Sequence, residues 1–204
     1  MVFPIIMTGS SLGNKSMQNV EYKCELRDID LVRGIIKRIG GRHVFTVKQR
    51  DTYYKLFQGR LKKRETEAPP NEPPAPTEPP EWIHYHRQDR LSSKLSHFSI
   101  LDEDEARQRF GQRDMPVWVV VEKTRELWMC GSVRVHLDDV KGLGKFLEIE
   151  ALVTPRRHIG RCHRLVRALL AKFGPTLGEP ISVSYSDMVA AEIEHAGGGR
   201  GRRG

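Results

Sequence analysis

Cysteine is scarce in this chain: Cys24, Cys130 and Cys162 are the only three in 204 residues. An odd, scattered set gives no disulfide framework, no CxxC pair and no zinc-finger spacing. A reducing, cytoplasmic setting is the expectation that follows. Long apolar runs are missing too, so no membrane helix and no membrane partner are expected. The apolar opening at 1–7 is short and lacks the basic flank of a signal peptide. Acidic residues are the minority, 26 against 34 lysines and arginines, which leaves a net charge of +8 and points to an anionic partner. Aromatic residues make up only 7% of the chain, and none forms a stacking platform beside the short Gly/Arg tail. Nucleic acid is therefore not the expected partner.

What is present reads as one domain over 18–195, with a disordered extension at 1–17 and a disordered tail at 196–204. Seven prolines fall in the stretch 67–81. Proline cannot donate to a strand ladder, so this stretch reads as a solvated loop between strands. Asp28 is placed to cap a helix that runs to about Ile39, with Leu31, Ile35, Ile36 and Ile39 on its buried stripe. Further helices are expected over 102–110, 155–173 and 184–194. Eight strands are expected near 19–27, 43–48, 51–57, 60–65, 82–87, 117–124, 127–138 and 146–153. Tight turns between several of them imply antiparallel pairing, and eight is the smallest common number for a closed barrel.

The stretch Val133 to Glu150 organises this reading. It is two strands joined at Gly142-Leu143-Gly144. Side chains alternate between the faces of a strand, so Arg134, His136 and Asp138 share one face and Val133, Val135 and Leu137 the other. Glu148 and Glu150 likewise oppose Leu147, Ile149 and Ala151. Ionisable residues recur at period two on nearly every expected strand. The charged face could be the wet exterior, or it could line a polar tunnel whose apolar outside is covered by helices. Arg60, Lys62 and Arg64 sharpen the question, because three cations at strand spacing repel unless something anionic sits between them.

Four stretches, V-E-Y-K, G-R-L-K-K-R, V-V-E-K-T-R and V-R-V-H-L-D-D-V-K-G-L-G-K-F-L-E-I-E, resemble the CYTH superfamily of triphosphate tunnel enzymes, on the side of class IV adenylyl cyclases. The resemblance implies a mainly β, α+β fold: a closed eight-stranded antiparallel barrel with a charged lumen and helices packed outside. It implies a basic, triphosphate-binding patch of Lys23, Arg60, Lys62, Arg64, Arg87, Lys123, Arg125 and Arg134. It also implies a patch of Glu21, Asp138, Glu148 and Glu150 for Mg²⁺ or Mn²⁺, with Lys123, Arg125 and Asp138 as catalytic residues. Two positions depart from the family pattern. Asn19 stands where its E-x-E-x-K signature has a first glutamate, and an amide is a weaker ligand for a hard cation. His97 stands where an acidic residue would be expected. His136 reads as a supporting or structural group rather than a ligand.

The chemistry suits these residue types. A triphosphate carries roughly four negative charges, which converging arginines and lysines can hold. Phosphoryl and nucleotidyl transfer depend mainly on positioning and charge stabilisation. The leading expectation is conversion of ATP to cyclic AMP and pyrophosphate. Hydrolysis of an inorganic, thiamine or nucleoside triphosphate is the alternative. A binding module without turnover is the third reading, and Asn19 favours it. A homodimer is left open.

Overall fold

The computed structural model describes residues 16–68, 79–87, 89, 91–111 and 115–198. The expected N-terminal extension, most of the proline-rich loop and the end of the tail lie outside the described residues. Among the described residues nine strands form: β1 (Met17–Leu26), β2 (Arg42–Tyr54), β3 (Arg60–Glu67), β4 (Glu81–Arg87), β5 (Lys94–Leu101), β6 (Val117–Cys130), β7 (Val133–Val140), β8 (Gly144–Leu152) and β9 (Leu177–Pro180). Four α-helices accompany them: α1 (Ile29–Arg38), α2 (Glu103–Phe110), α3 (Ile159–Phe173) and α4 (Tyr185–Gly198).

Strands pair in the order β5-β4-β3-β2-β6-β7-β8-β1, and β5 pairs back onto β1, closing a ring of eight antiparallel strands. β9 adds to the ring by pairing with β1 at Cys24 and Leu26. The count of eight agrees with the sequence reading, but the pieces differ. β2 is continuous where two strands are expected, and β5 is an additional strand. The turn at Gly131, with φ +61, separates β6 from β7 where one strand was expected.

The outside of the ring is apolar and covered. Val20 and Cys24 of β1, Val135 and Leu137 of β7, and Leu147, Ile149 and Ala151 of β8 pack beneath Val32 and Ile36 of α1 and Cys162, Val166 and Phe173 of α3. Asp28 accepts from the backbone N–H of Leu31 and fixes the start of α1. The buried face of α1 is Ile29, Val32 and Ile36, which leaves Leu31 half exposed. α2 covers Leu61 of β3, Trp82 of β4 and Leu101 of β5.

The charged faces therefore point inward. One part of the lumen is apolar, built from Tyr53, Val119, Val121, Val140 and Phe146. Here α4 departs from the outside packing expected of every helix. Its first residue, Tyr185, joins this cluster, with Met188 and Val189 against it, and Ser184 and Ser186 are buried.

Candidate functional site

Strand register decides which charges meet. Across the β2–β3 hairpin Asp51 lies opposite Arg64. Asp51 is fully buried, and its carboxylate accepts from Arg64 Nε at 2.7 Å and Nη2 at 2.8 Å, from Lys62 Nζ at 2.8 Å and from Lys123 Nζ at 3.2 Å. The anion that the Arg60, Lys62 and Arg64 spacing requires is thus the protein's own. Burial alone would raise the carboxyl pKa of Asp51, but the surrounding cations, Arg64 foremost, hold it well below the usual range. One carboxylate cannot neutralise three cations. Burial and the Arg64 charge lower Lys62 to about 7, and burial lowers Lys123 to about 8. Arg60 shares the lumen face but bonds Asp187 of α4 at 2.8 Å. The side chain of Arg87, expected in the basic patch, lies outside the described residues. A cleft of about 580 Å³ opens beside Lys123, lined also by Gln49, Arg50, Glu122 and Lys141.

Farther round the ring, on β6, β7, β8 and β1, cations and carboxylates interleave instead of forming separate patches. The cause is register: Arg125 lies across from Asp138, Arg134 from Glu150, and Lys23 from Glu148, and oppositely charged cross-strand neighbours attract. Arg125 donates to both Asp138 oxygens at 2.6 Å and to Glu148 Oε2 at 2.8 Å. Lys23 Nζ is 3.6 Å from Glu148 Oε1 and 3.8 Å from the Tyr185 ring centre. The Tyr185 hydroxyl donates to Asp138 at 2.9 Å. Asp138 is fully buried and, despite the burial that raises it, is held at about 2, chiefly by the Arg125 charge.

Glu150 is less well served. Its cation partner, Arg134, is 4.0 Å away and partly exposed. Burial and the neighbouring Glu148 charge push Glu150 up to about 7. His136 lies opposite Glu148 in register, with Nε2 3.7 Å from Glu150 Oε2. Burial and the Arg125 charge lower its pKa well below the ordinary value, so the ring is neutral. Neither of its nitrogens has a hydrogen-bond partner, and neither does Asn19 Oδ1. Ligand atoms of His136, Glu148 and Glu150 lie within 4.8 Å of one another. This donor set and its unpaired polar atoms fit a divalent cation. Glu21 is buried on the same face, opposite Glu150 on one side and Lys94 on the other.

The sequence reading missed Asp51, Lys94 and Tyr185. Counted outward, a two-residue Gln58-Gly59 turn would set Tyr53 against Arg64; the longer connection over 55–59 shifts the register by two and sets Asp51 there instead. Lys94 is buried in the lumen and donates to the Ser182 backbone carbonyl at 2.7 Å, a partner 88 residues away that no local pattern announces.

The sequence pattern of the CYTH domain family matches residues 17–174. No curated protein matches the chain significantly. Solved structures of similar fold include a Pyrococcus horikoshii protein at 21% identity and TM-score 0.60, covering 85% of this chain and 99% of that one. A candidate adenylate cyclase from Vibrio parahaemolyticus shares 19% identity at TM-score 0.63, covering 86% and 99%. A candidate adenylyl cyclase from Hippeastrum, reported to have a dominant triphosphatase activity, shares 14% identity at TM-score 0.53, covering 86% and 96%.

Proposed function

The chain belongs to the CYTH domain family, and from that premise we propose that it binds a nucleoside triphosphate in its lumen and converts ATP to cyclic AMP and pyrophosphate. The observation that carries this reading is the Asp51 cluster. Lys62, Arg64 and Lys123 converge from two strands onto a single oxyanion, and a phosphate oxygen has the same charge and acceptor geometry as the carboxylate that sits there. The cations exceed the one internal carboxylate by two charges. That surplus would go to the phosphate chain, with Arg64 available for two-pronged bonding.

Arg125 and Lys123 stand between the two walls and would stabilise charge that develops as the ribose 3′-hydroxyl attacks the α-phosphorus and pyrophosphate leaves. Asp138, with both oxygens on Arg125, is suited to aiming that guanidinium rather than to accepting a proton. Lys23, Arg60 and Arg134 would add to the positive field along the phosphate path. Glu148 and Glu150, with Glu21 on the adjoining strand, would hold a divalent cation. When bound, Mg²⁺ or Mn²⁺ would supply Lewis-acid neutralisation of phosphate charge.

Hydrolysis is the second reading, and the activity reported for the Hippeastrum structural neighbour favours it. The two are separated by incubating the purified chain with ATP, inorganic triphosphate and thiamine triphosphate, in Mg²⁺ and in Mn²⁺, and resolving the products by chromatography. Cyclic AMP is the expected product. Orthophosphate without cyclic AMP would establish the hydrolase, and tight binding with no product would remove both enzymatic readings.

A further inference from the structure

We propose that His136 is a metal ligand. With Glu148, Glu150 and the Asn19 carbonyl oxygen it would form a mixed nitrogen–oxygen site that selects a borderline first-row divalent cation over Mg²⁺. The inference rests on the reading of the lumen as a metal-assisted triphosphate site and specifies which metal class that site takes.

Geometry comes first. His136 is 7% exposed, on the lumen face of β7, between Arg134 and Asp138. Its ring nitrogens have no hydrogen-bond partner, although the side chain sits among groups that are densely bonded. Leaving buried polar atoms unpaired costs about 1–3 kcal/mol each. An apolar side chain would fill the same position at no such cost. Nε2 is 3.7 Å from Glu150 Oε2, and the three ligand atoms fit within 4.8 Å. Ligand atoms around a first-row cation with bonds of ~2.1 Å stand about 3–4 Å apart, so modest side-chain rotation closes the set. Asn19 is 6% exposed, shares the lumen face with Glu21, and keeps its Oδ1 without a partner. Two buried side chains with unmet acceptor atoms thus belong to the same wall as two carboxylates.

Chemistry then chooses among cations. Mg²⁺ prefers oxygen ligands and water in near-ideal octahedral geometry. Imidazole nitrogen gains strength along the series from Mn²⁺ through Co²⁺ to Ni²⁺ and Cu²⁺, with Zn²⁺ also strong. A neutral amide at position 19 leaves less negative charge to attract a hard cation. Both features shift preference in the same direction, away from Mg²⁺.

The test uses the full chain, stripped with chelator and titrated with CoCl₂, MnCl₂ and MgCl₂ by calorimetry, with the Co²⁺ visible spectrum recorded in parallel. Wild type should bind Co²⁺ about tenfold or more tighter than Mg²⁺. His136→Gln should lose about tenfold or more of the Co²⁺ affinity and the associated visible band, with the Mg²⁺ affinity changed by less than about threefold. Equal Co²⁺ and Mg²⁺ affinities in wild type, or an unaltered Co²⁺ spectrum in His136→Gln, would overturn the proposal. Should His136→Gln fail to fold by circular dichroism, proton NMR of the Co²⁺ complex decides. A strongly shifted imidazole N–H resonance present in wild type and absent in Glu150→Gln supports it, and no such resonance in wild type overturns it. A chain that binds triphosphate with Mg²⁺ but shows no histidine-dependent metal binding would lose this inference alone. A chain that binds neither triphosphate nor metal would lose the functional reading as well.

Discussion

On one wall of the lumen Lys62, Arg64 and Lys123 close on Asp51, and every one of these charges has a bond shorter than 3.3 Å. On the other, Glu150 meets Arg134 at 4.0 Å, and His136 has no hydrogen bond at all. The two regions are equally sheltered, so burial does not explain the contrast. Supply of counter-charge does. Where a carboxylate reaches the cations, it holds them in place before any ligand arrives. Where the cation stands farther off and is partly exposed, a proton or a metal can serve. The same accounting makes both walls sensitive near neutral pH, in opposite senses: Lys62 gives up its proton early, at about 7, and Glu150 keeps its proton late, also to about 7.

The sharpest way to break the contrast is to remove the internal counter-ion. Asp51→Asn leaves three cations packed together in a confined space, and loss of a buried ionic partner costs about 3–5 kcal/mol. Urea denaturation should show that loss, and inorganic triphosphate should recover more stability in the variant than in wild type. A variant within about 1 kcal/mol of wild type would mean that Asp51 is not what holds the cluster.

A smaller effect separates the walls by pH. Glu150 has a folded-state value above its ordinary 4.5, so the folded protein binds the extra proton between those limits. Its contribution is present below about 4.5 and is lost as pH rises to about 7. Lys62 has a folded-state value below its ordinary 10.5, so the unfolded chain holds the extra proton, and stability rises as pH climbs from about 7 to 10.5. Below neutrality the lowered His136 works against the Glu150 trend, so metal-free protein should show a shallow acid side and a clear rise in stability on the alkaline side, to which Lys123 also contributes. Glu150→Gln should leave stability rising with pH between about 4.5 and 6.5, and Lys62→Met should reduce the alkaline rise. Melting curves across pH check both, and parallel profiles for wild type and variants would refute the assignment.

The smallest expected change concerns the residue that touches both walls. Tyr185 donates to Asp138, and its ring lies 3.8 Å from Lys23 Nζ and 5.4 Å from Lys123 Nζ. Tyr185→Phe keeps the ring and removes the hydroxyl, so about 1 kcal/mol should be lost. Amide exchange should quicken at the start of α4 and stay unchanged in α1. Uniform quickening across the barrel would show a global rather than a local role.

The inward charge was legible as an alternation in the sequence, because a barrel imposes the two-residue period on every strand it contains. Which way that face points was legible only through the resemblance, since period two is the same inside and out. β5 escaped because its lumen face mixes Lys94 and Ser96 with Phe98 and Ile100, which blurs the alternation. β2 looked broken because Lys48, Gln49 and Arg50 read as a polar interruption, yet the strand runs through them, with Gln49 in register with Lys123. The site was half legible. Residue types and faces followed from spacing, but partners followed from register. Arg125 and Arg134 pair with carboxylates because β6, β7 and β8 set them side by side, which no count along one strand reveals.

The double pairing of β1, with β5 on one side and β8 on the other, has a consequence for how the molecule assembles. Glu21 is in register with Lys94 and also with Glu150. During synthesis at about 5–20 residues per second, β1 emerges on the order of ten seconds before β8 exists to receive it. Until then its apolar and ionic faces both lack their second neighbour, and the ring cannot close. Such distant partners place refolding in the millisecond-to-second range rather than the microsecond range of helical bundles. The nascent chain spends that interval as an open, half-charged sheet, which makes closure by β8 the step at which hold-and-release by a chaperone would matter most.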